Sequence, residues 1–403
     1  MLVTLALSSI SQANGGWVIE REDKTKSPLF RKNESIANQF TQEEKEHLAV
    51  IAAYERALES YQKDVREHWP NGEVSNQERW VSYSADWKTK RVVDFENNRV
   101  EISLENQYAG RHLDFAKLST MVREQVEDVI GATVAKGLAS DPVHKAVEDT
   151  FIAIGVDESG TDSQKLVLAE LFDSHQPSSD QIRKKAVMLM KNASIRYQVL
   201  SASLASIPVK TNNKITYVIP LPDNRIRKKV KEYGPMVKQH ASRFSLSDDV
   251  VMAIIHTESH FNPLARSHVP AFGLMQIVPS TAGRDATKKL YSKSKLLSAR
   301  YLYDPSKNIE VGAAYLNVLY YDYLSGIENP ESRLYYALAA YNAGASNVAR
   351  AFVNKSSFQD ALPIINKMRP EAVLKTILKK SPQRETREYV EKVLKRRNFY
   401  QRV

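Results

Sequence analysis

The chain has 403 residues, enough for two domains or one large one, and its 42% apolar and 26% charged content is that of an ordinary globular protein. It has no cysteine, which excludes disulfides, a thiolate nucleophile and a zinc–thiolate site. The net charge of +10 is moderate, and residues 375–403 concentrate it with ten Lys or Arg against three Glu. No nucleic-acid motif accompanies that run, so it reads as a solvated helix face suited to an anionic surface, with no nucleic acid as partner.

Residues 1–13 form a short apolar stretch ending in Ser11-Gln12-Ala13, a small-x-small pattern that predicts a signal peptide lacking its basic start. No run reaches the ~18 apolar residues that a membrane-spanning helix needs. Residues 35–68 place Ile36, Phe40, Leu48, Ile51, Tyr54, Leu58 and Tyr61 at helical spacing and predict a long amphipathic helix with a break. From Trp80 the period changes to two. Val93 and Phe95, a turn at Asn97-Asn98, and then Val100, Ile102 and Leu104 predict a hairpin with one buried face. A second helix uses Phe115, Leu118, Val122, Val126, Val129 and Ile130. After a Ser/Asp-rich stretch at 157–180, a second strand pair turns at Thr211-Asn212-Asn213 and returns through Ile215, Tyr217 and Ile219. This order describes an α+β N-terminal domain, residues 14–222, closed by Pro220 and Pro222.

From 223 to 403 the pattern is mainly α-helical. Ser247 is a natural N-cap, with Asp248 and Asp249 in the first turn where the helix dipole favours anions. Asn308 reads as the cap of a helix running to about Leu324, Asn329-Pro330 opens the next, and Gly344 breaks it after Tyr341-Asn342. Ser346 reads as a further cap, and Ser381-Pro382 opens the last helix.

One residue stands out in this lobe. Val251, Ile254 and Ile255 mark a buried stripe, and the next position on it is Glu258. A carboxylate there is either a structural partner for an Arg or a helix cap, or an acid whose pKa is raised by burial so that it can give up a proton near neutral pH. A metal site is the rival chemistry, since His256 and His260 are one helical turn apart and His268 follows. In a zinc-protease helix the Glu comes directly after the first His, whereas here it comes two later, on another face. No metal and no cofactor is therefore expected.

Glu258-Ser259 with Asn262-Pro263, Ser267, Gly273-Leu274-Met275-Gln276, Asn308-Ile309 with Gly312, Ala340-Tyr341-Asn342 with Gly344, and a late Glu385-Thr386-Arg387 with Tyr389-Val390 follow one another in order. In these motifs the chain resembles the lysozyme-like lytic transglycosylases of bacterial cell-wall turnover. The likeness is specific over 223–403 and diffuse before it. It departs at Pro270-Ala271-Phe272, where the family often has a Gly-Ala pair, and in lacking the lipid-anchored cysteine of lipoprotein relatives.

The resemblance implies a lysozyme-like catalytic domain that cleaves the β-1,4 bond between N-acetylmuramic acid and N-acetylglucosamine. It implies Glu258 as the single general acid and base, a 1,6-anhydromuramic product and no water consumed. It further implies Ser267 and Gln276 as groups holding the sugar, Gly273 and Met275 as parts of the cleft wall, and Tyr341, Asn342 and Tyr389 beside the acid. Peptidoglycan glycan strands would be the partner and the periplasm the location, with association to the outer membrane or cell wall. A muramidase using water and a non-catalytic peptidoglycan-binding protein are the alternatives. All four tryptophans lie in the N-terminal region, so stacking against sugar in the second lobe falls to Tyr and Phe.

Overall fold

The computed structural model describes residues 10–13, 16–19, 41–105, 115–156, 163–174, 176–198 and 214–402. Strands β1 (Ile10–Ala13) and β2 (Gly16–Ile19) pair antiparallel. The rest of the segment read as a signal peptide, Ile36 and Phe40 of the first helix, and the turn at 211–213 lie outside the described residues.

Helix α1 (Gln42–His68) begins in a full capping box, Thr41 accepting from the Glu44 amide while the Glu44 side chain accepts from the Thr41 backbone. Strands β3 (Arg79–Tyr83), β4 (Thr89–Asp94) and β5 (Arg99–Glu105) follow as a meander. Then come α2 (Phe115–Ile130), α3 (Val134–Ala139), α4 (Pro142–Ala153), a 3₁₀ turn at Ala169–Leu171 and α5 (Ser179–Met190). Strands β6 (Ser194–Gln198) and β7 (Lys214–Pro220) complete an antiparallel sheet of order β3-β4-β5-β7-β6.

The meander has two covered faces where one was expected. Strand β5 is central, so Val100, Ile102 and Leu104 enter the core on one side while Glu101 and Ser103 are buried on the other. Those polar groups have partners there, Glu101 an ion pair with Arg99 at 2.7 Å and Ser103 a hydrogen bond with Thr216 at 2.8 Å.

The second part is helical throughout: α6 (Arg225–Arg243), α7 (Asp248–Ser259), α8 (Ala282–Tyr291), α9 (Ala299–Leu302), α10 (Pro305–Asn317), a π-helical turn at Val318–Tyr323, α11 (Pro330–Ala343), α12 (Ala345–Val353), α13 (Phe358–Asn366), α14 (Pro370–Lys380) and α15 (Arg384–Tyr400). Three helix starts differ from expectation, the last helix beginning at Arg384 behind Gln383 while Ser381 closes α14 instead. Asp304, followed by Pro305, caps α10, which leaves Asn308 inside the helix and fully buried. Gly344, at φ +79°, starts α12, so Ser346 lies within its first turn. Asn329 caps α11 as its Asn-Pro pair suggested, accepting from the amides of Glu331 and Ser332.

The change from sheet to helices falls at the proposed join near 222, yet the apolar core runs through it without a gap. Buried charges pin the join. Arg225 donates to the Asn98 amide oxygen and the Phe95 carbonyl, and Glu170 meets Lys229 at 2.8 Å and Arg225 at 3.5 Å. Further along, α1 grips the loops of the helical lobe. Glu43 and Glu46 hold Arg284, His47 meets Ser280, and the Tyr54 hydroxyl donates to the Ser267 carbonyl. Asp141 takes Arg266 at 3.1 Å, and Glu148 accepts from the Arg300 amide at 2.7 Å. The N-terminal part thus braces the segment 262–300 from behind.

Candidate active site

Helix α7 is held at its start by Asp249, whose carboxylate accepts from Ser247 and from Arg397 on α15 at 3.0 Å. Its apolar face, Val251, Ile254 and Ile255, is fully buried. One turn later on that face Glu258 is only 7% exposed. Burial pushes its carboxyl pKa up to about 8, since removing water penalises the charged form. Attraction to the Tyr389 hydroxyl opposes that rise, and repulsion from Glu385 adds to it. The Tyr389 hydroxyl is itself buried beside the carboxyl. No cation is within ion-pair distance of Glu258 among the described residues. The reading of Glu258 as an Arg-paired structural acid therefore finds no partner here.

The helix ends on two consecutive left-handed residues, His260 (φ +50°) and Phe261 (φ +62°), which turn the chain sharply into the loop. Asn262 stabilises the turn by accepting from the Leu264 amide at 3.0 Å. Gly273 is required by geometry. Its φ is +77°, and a Cβ there would stand 2.3 Å from the Leu302 carbonyl and 2.4 Å from the Asn308 side-chain nitrogen. Asn308 holds the same loop with three bonds, donating to the carbonyls of Phe272 and Leu302 and accepting from the Met275 amide at 2.7 Å. Its buried amide stitches the loop, a role that its helix-capping residue type does not reveal.

The sequence-predicted residues separate into two groups. Glu258, Tyr341 and Tyr389 come together. Burial raises the pKa of Tyr341 and of Tyr389 well above the usual range for a phenol, and the nearby Glu258 adds to both. Tyr341 also donates to the Met275 carbonyl at 2.9 Å, which ties α11 to the loop. Asn342 accepts from Thr386 at 2.8 Å, so the late Glu385-Thr386-Arg387 motif is fastened to the Tyr341-Asn342 motif and Tyr389 is carried to the acid.

The remaining residues act on the loop. The Gln276 side chain turns inward and donates to the carbonyls of Ala265 and Gly273. Met275 is fully buried against Gly312, where any Cβ would collide with its sulfur at 2.3 Å. The Ser267 hydroxyl donates to the Val269 carbonyl at 2.7 Å on the more open side of the loop. Glu385 belongs to the late motif, but its spacing in the chain assigns it no role. It is exposed, and its charge reaches Glu258 from 127 residues away in sequence.

The histidines belong to a different structure. His256 is bonded to the Tyr400 hydroxyl at 2.7 Å, and Arg396 donates to Nε2 of His260 at 2.6 Å. Burial, then the Arg396 charge, hold His260 down to about 3, so it stays neutral. Glu78, Glu96 and His260 bring donor atoms within 4.8 Å of one another. The bond from Arg396 occupies Nε2 and places the ring proton on Nδ1, the nitrogen that faces Glu78 at 3.8 Å. A protonated Nδ1 is the wrong tautomer for a ligand to a metal there.

A helical lobe holding one desolvated carboxylic acid between tyrosine rings fits an enzyme that works by proton transfer. Comparison with known proteins narrows that class. Residues 235–363 match the family model "Transglycosylase SLT domain". A membrane-bound lytic murein transglycosylase C from Klebsiella pneumoniae is 38% identical over 252 residues, covering 60% of this chain and 69% of that one. The protein of the same name from Mannheimia succiniciproducens is 30% identical over 334 residues, covering 82% and 84%. The solved lytic transglycosylase Slt of Pseudomonas aeruginosa is 27% identical, covers 44% of this chain and 27% of its own, and superposes with a TM-score of 0.33. The chain belongs to the lytic murein transglycosylases, a family of glycan-cleaving lyases.

Proposed function

We propose that this protein cleaves the β-1,4 bond between N-acetylmuramic acid and N-acetylglucosamine in peptidoglycan, with Glu258 as general acid and then general base. The observation that carries the reading is the state of Glu258, buried and cation-free with its carboxyl pushed up to about 8. At neutral pH it holds a proton that it can give to the leaving sugar oxygen. Once ionised it can take the proton of the muramic 6-hydroxyl as that oxygen closes on its own anomeric carbon, which leaves a 1,6-anhydro end. Tyr389 favours the ionised form and so eases the first transfer. Tyr341 and Asn342 hold the loop and the late motif in place around the acid.

Ser267 is the loop group best placed to meet sugar, whereas Gln276, Met275 and Gly273 shape the loop from within. The rest of the reading puts the protein in the periplasm on glycan strands, with residues 1–13 as a leader and the basic tail toward the wall or outer membrane. Among the described residues no helix is long and apolar enough to cross a membrane.

A second reading has one observation in its favour. Glu385 is an exposed carboxylate within electrostatic reach of Glu258, and paired carboxyl groups serve glycosidases that use water. Mass spectrometry of the products from purified sacculi separates the two. Anhydromuramic ends are expected; reducing ends would make the protein a muramidase, and no soluble products would remove the catalytic reading.

A further inference from the structure

The wall beside the acid continues past the residues used above. The ring of Tyr341 meets that of Tyr315 on α10, centroids 5.4 Å apart at 55°. Tyr315 in turn lies close enough to Asp285 on α8 to feel its charge, and Asp285 is hydrogen-bonded to the Tyr323 hydroxyl from the π-helical turn. Asp285, Tyr315, Tyr323 and Tyr341 are all partly exposed, while Met275, Ala286, Leu316 and Leu319 around them are buried. A row of surface groups thus runs outward from the acid.

Apart from its first-turn position on α8 and its bond to Tyr323, Asp285 has no ion pair among the described residues. It lies in the first turn of α8, but the ion pairs of that turn belong to Arg284, which is taken by Glu43 and Glu46. Lys288 on the following turn attracts Asp285 without forming an ion pair among the described residues. A half-buried carboxyl left to a single phenol has spare acceptor capacity, since an ionised carboxylate offers about four lone-pair sites. Sugar hydroxyls and acetamido N–H groups are the donors that such a carboxyl reads, and the flat C–H faces of a pyranose pack on aromatic rings.

We propose that Asp285, supported by Tyr323 and the ring of Tyr315, forms a glycan subsite remote from the bond that is cleaved, where the carboxyl accepts a hydroxyl or N-acetyl N–H of a neighbouring sugar. The inference rests on the reading of the protein as a peptidoglycan-cleaving enzyme. It makes Asp285 a positioning residue, because its effect on Glu258 passes through the bound strand.

The test uses the full chain with Asp285→Asn and, separately, Tyr323→Phe, assayed on sacculi alongside wild type. Asp285→Asn removes the charge at nearly constant size, and Tyr323→Phe frees the carboxyl from its anchor. KM is expected to rise about ten-fold in Asp285→Asn, the loss of one hydrogen bond to a charged group, while kcat changes by less than about three-fold. Tyr323→Phe should raise KM by a smaller factor in the same direction. Calorimetric binding of a β-1,4 N-acetylglucosamine hexamer, measured in a Glu258→Gln background, should weaken with Asp285→Asn by a matching factor.

An unchanged KM and hexamer affinity with an intact fold would overturn the subsite, as would a lowered melting temperature with KM preserved in both variants. A fall confined to kcat would make Asp285 part of the chemistry and also overturn it. A wild type that neither cleaves sacculi nor binds the hexamer would instead sink the parent reading.

Discussion

Two buried glutamates in this molecule behave in opposite ways. Glu170, at the join between the two parts, is 6% exposed and enclosed by Lys229 and Arg225. Glu258, on the helix of the second part, is 7% exposed and meets no cation among the described residues. Equal burial therefore yields different chemistry. At the join two cations lie against the carboxylate, and Lys229 is in turn held above the usual lysine range by Glu170, Tyr233 and Glu232 against the opposing pull of burial. On α7 no cation among the described residues offsets the lost water and the Tyr389 hydroxyl opposes it only in part, so the carboxyl keeps its proton to about pH 8. A paired charge fastens the chain, and an unpaired one is left free to exchange a proton.

The largest expected effect comes from removing the exchangeable proton. Glu258→Gln preserves size and hydrogen-bonding shape, so folding should survive while turnover on sacculi falls by ~10²–10⁴. Loss of stability with the rate per folded molecule retained would mean that Glu258 is a second structural glutamate and the contrast is empty. At the other site the outcome should invert. Glu170→Gln leaves Lys229 and Arg225 with uncompensated buried charge, for which about 3–5 kcal/mol is typical. Lys229 keeps Glu232 at 3.2 Å and Arg225 keeps the Phe95 carbonyl, so the lower end of that range is expected in denaturant titrations. The rate of the remaining folded enzyme should be that of wild type.

A third effect is a dependence of stability on pH. An unfolded glutamate titrates near ~4.3 and folded Glu258 near 8, so between these values the folded chain holds a proton that the unfolded chain has released. The group's contribution is fully present below the unfolded pKa and is lost as pH rises through the folded one. Wild type should therefore lose stability relative to Glu258→Gln from about pH 5 to pH 8, by an amount on the order of a few kcal/mol, and the two should converge in acid. Melts run in parallel across that window check the sign. A difference that is flat with pH would mean the carboxyl is not held protonated by the fold.

Much of this contrast could be read from the chain itself, because its signals are local. The 3.6-residue period places Glu258 on the face of Val251, Ile254 and Ile255 from their spacing alone. Asn329-Pro330 opens a helix by backbone chemistry that needs no distant partner, and alternation found the strands at Val93, Ile102 and Tyr217. What spacing could not decide is whether a buried carboxylate would find a cation. Glu170 looks like a stray acid in the apolar run 166–172 until α6 brings Lys229 to it across 59 positions, and Glu258 looks like a misplaced acid until Tyr389 and Glu385 arrive from α15. Asn308 carries a capping residue's side chain into a helix interior because Asp304 and Pro305 start the helix earlier, and only the folded loop shows why a buried amide is wanted there. Periodicity is a property of neighbours along one element. The charge state of a buried group depends on which elements close around it, and that is decided by the tertiary structure.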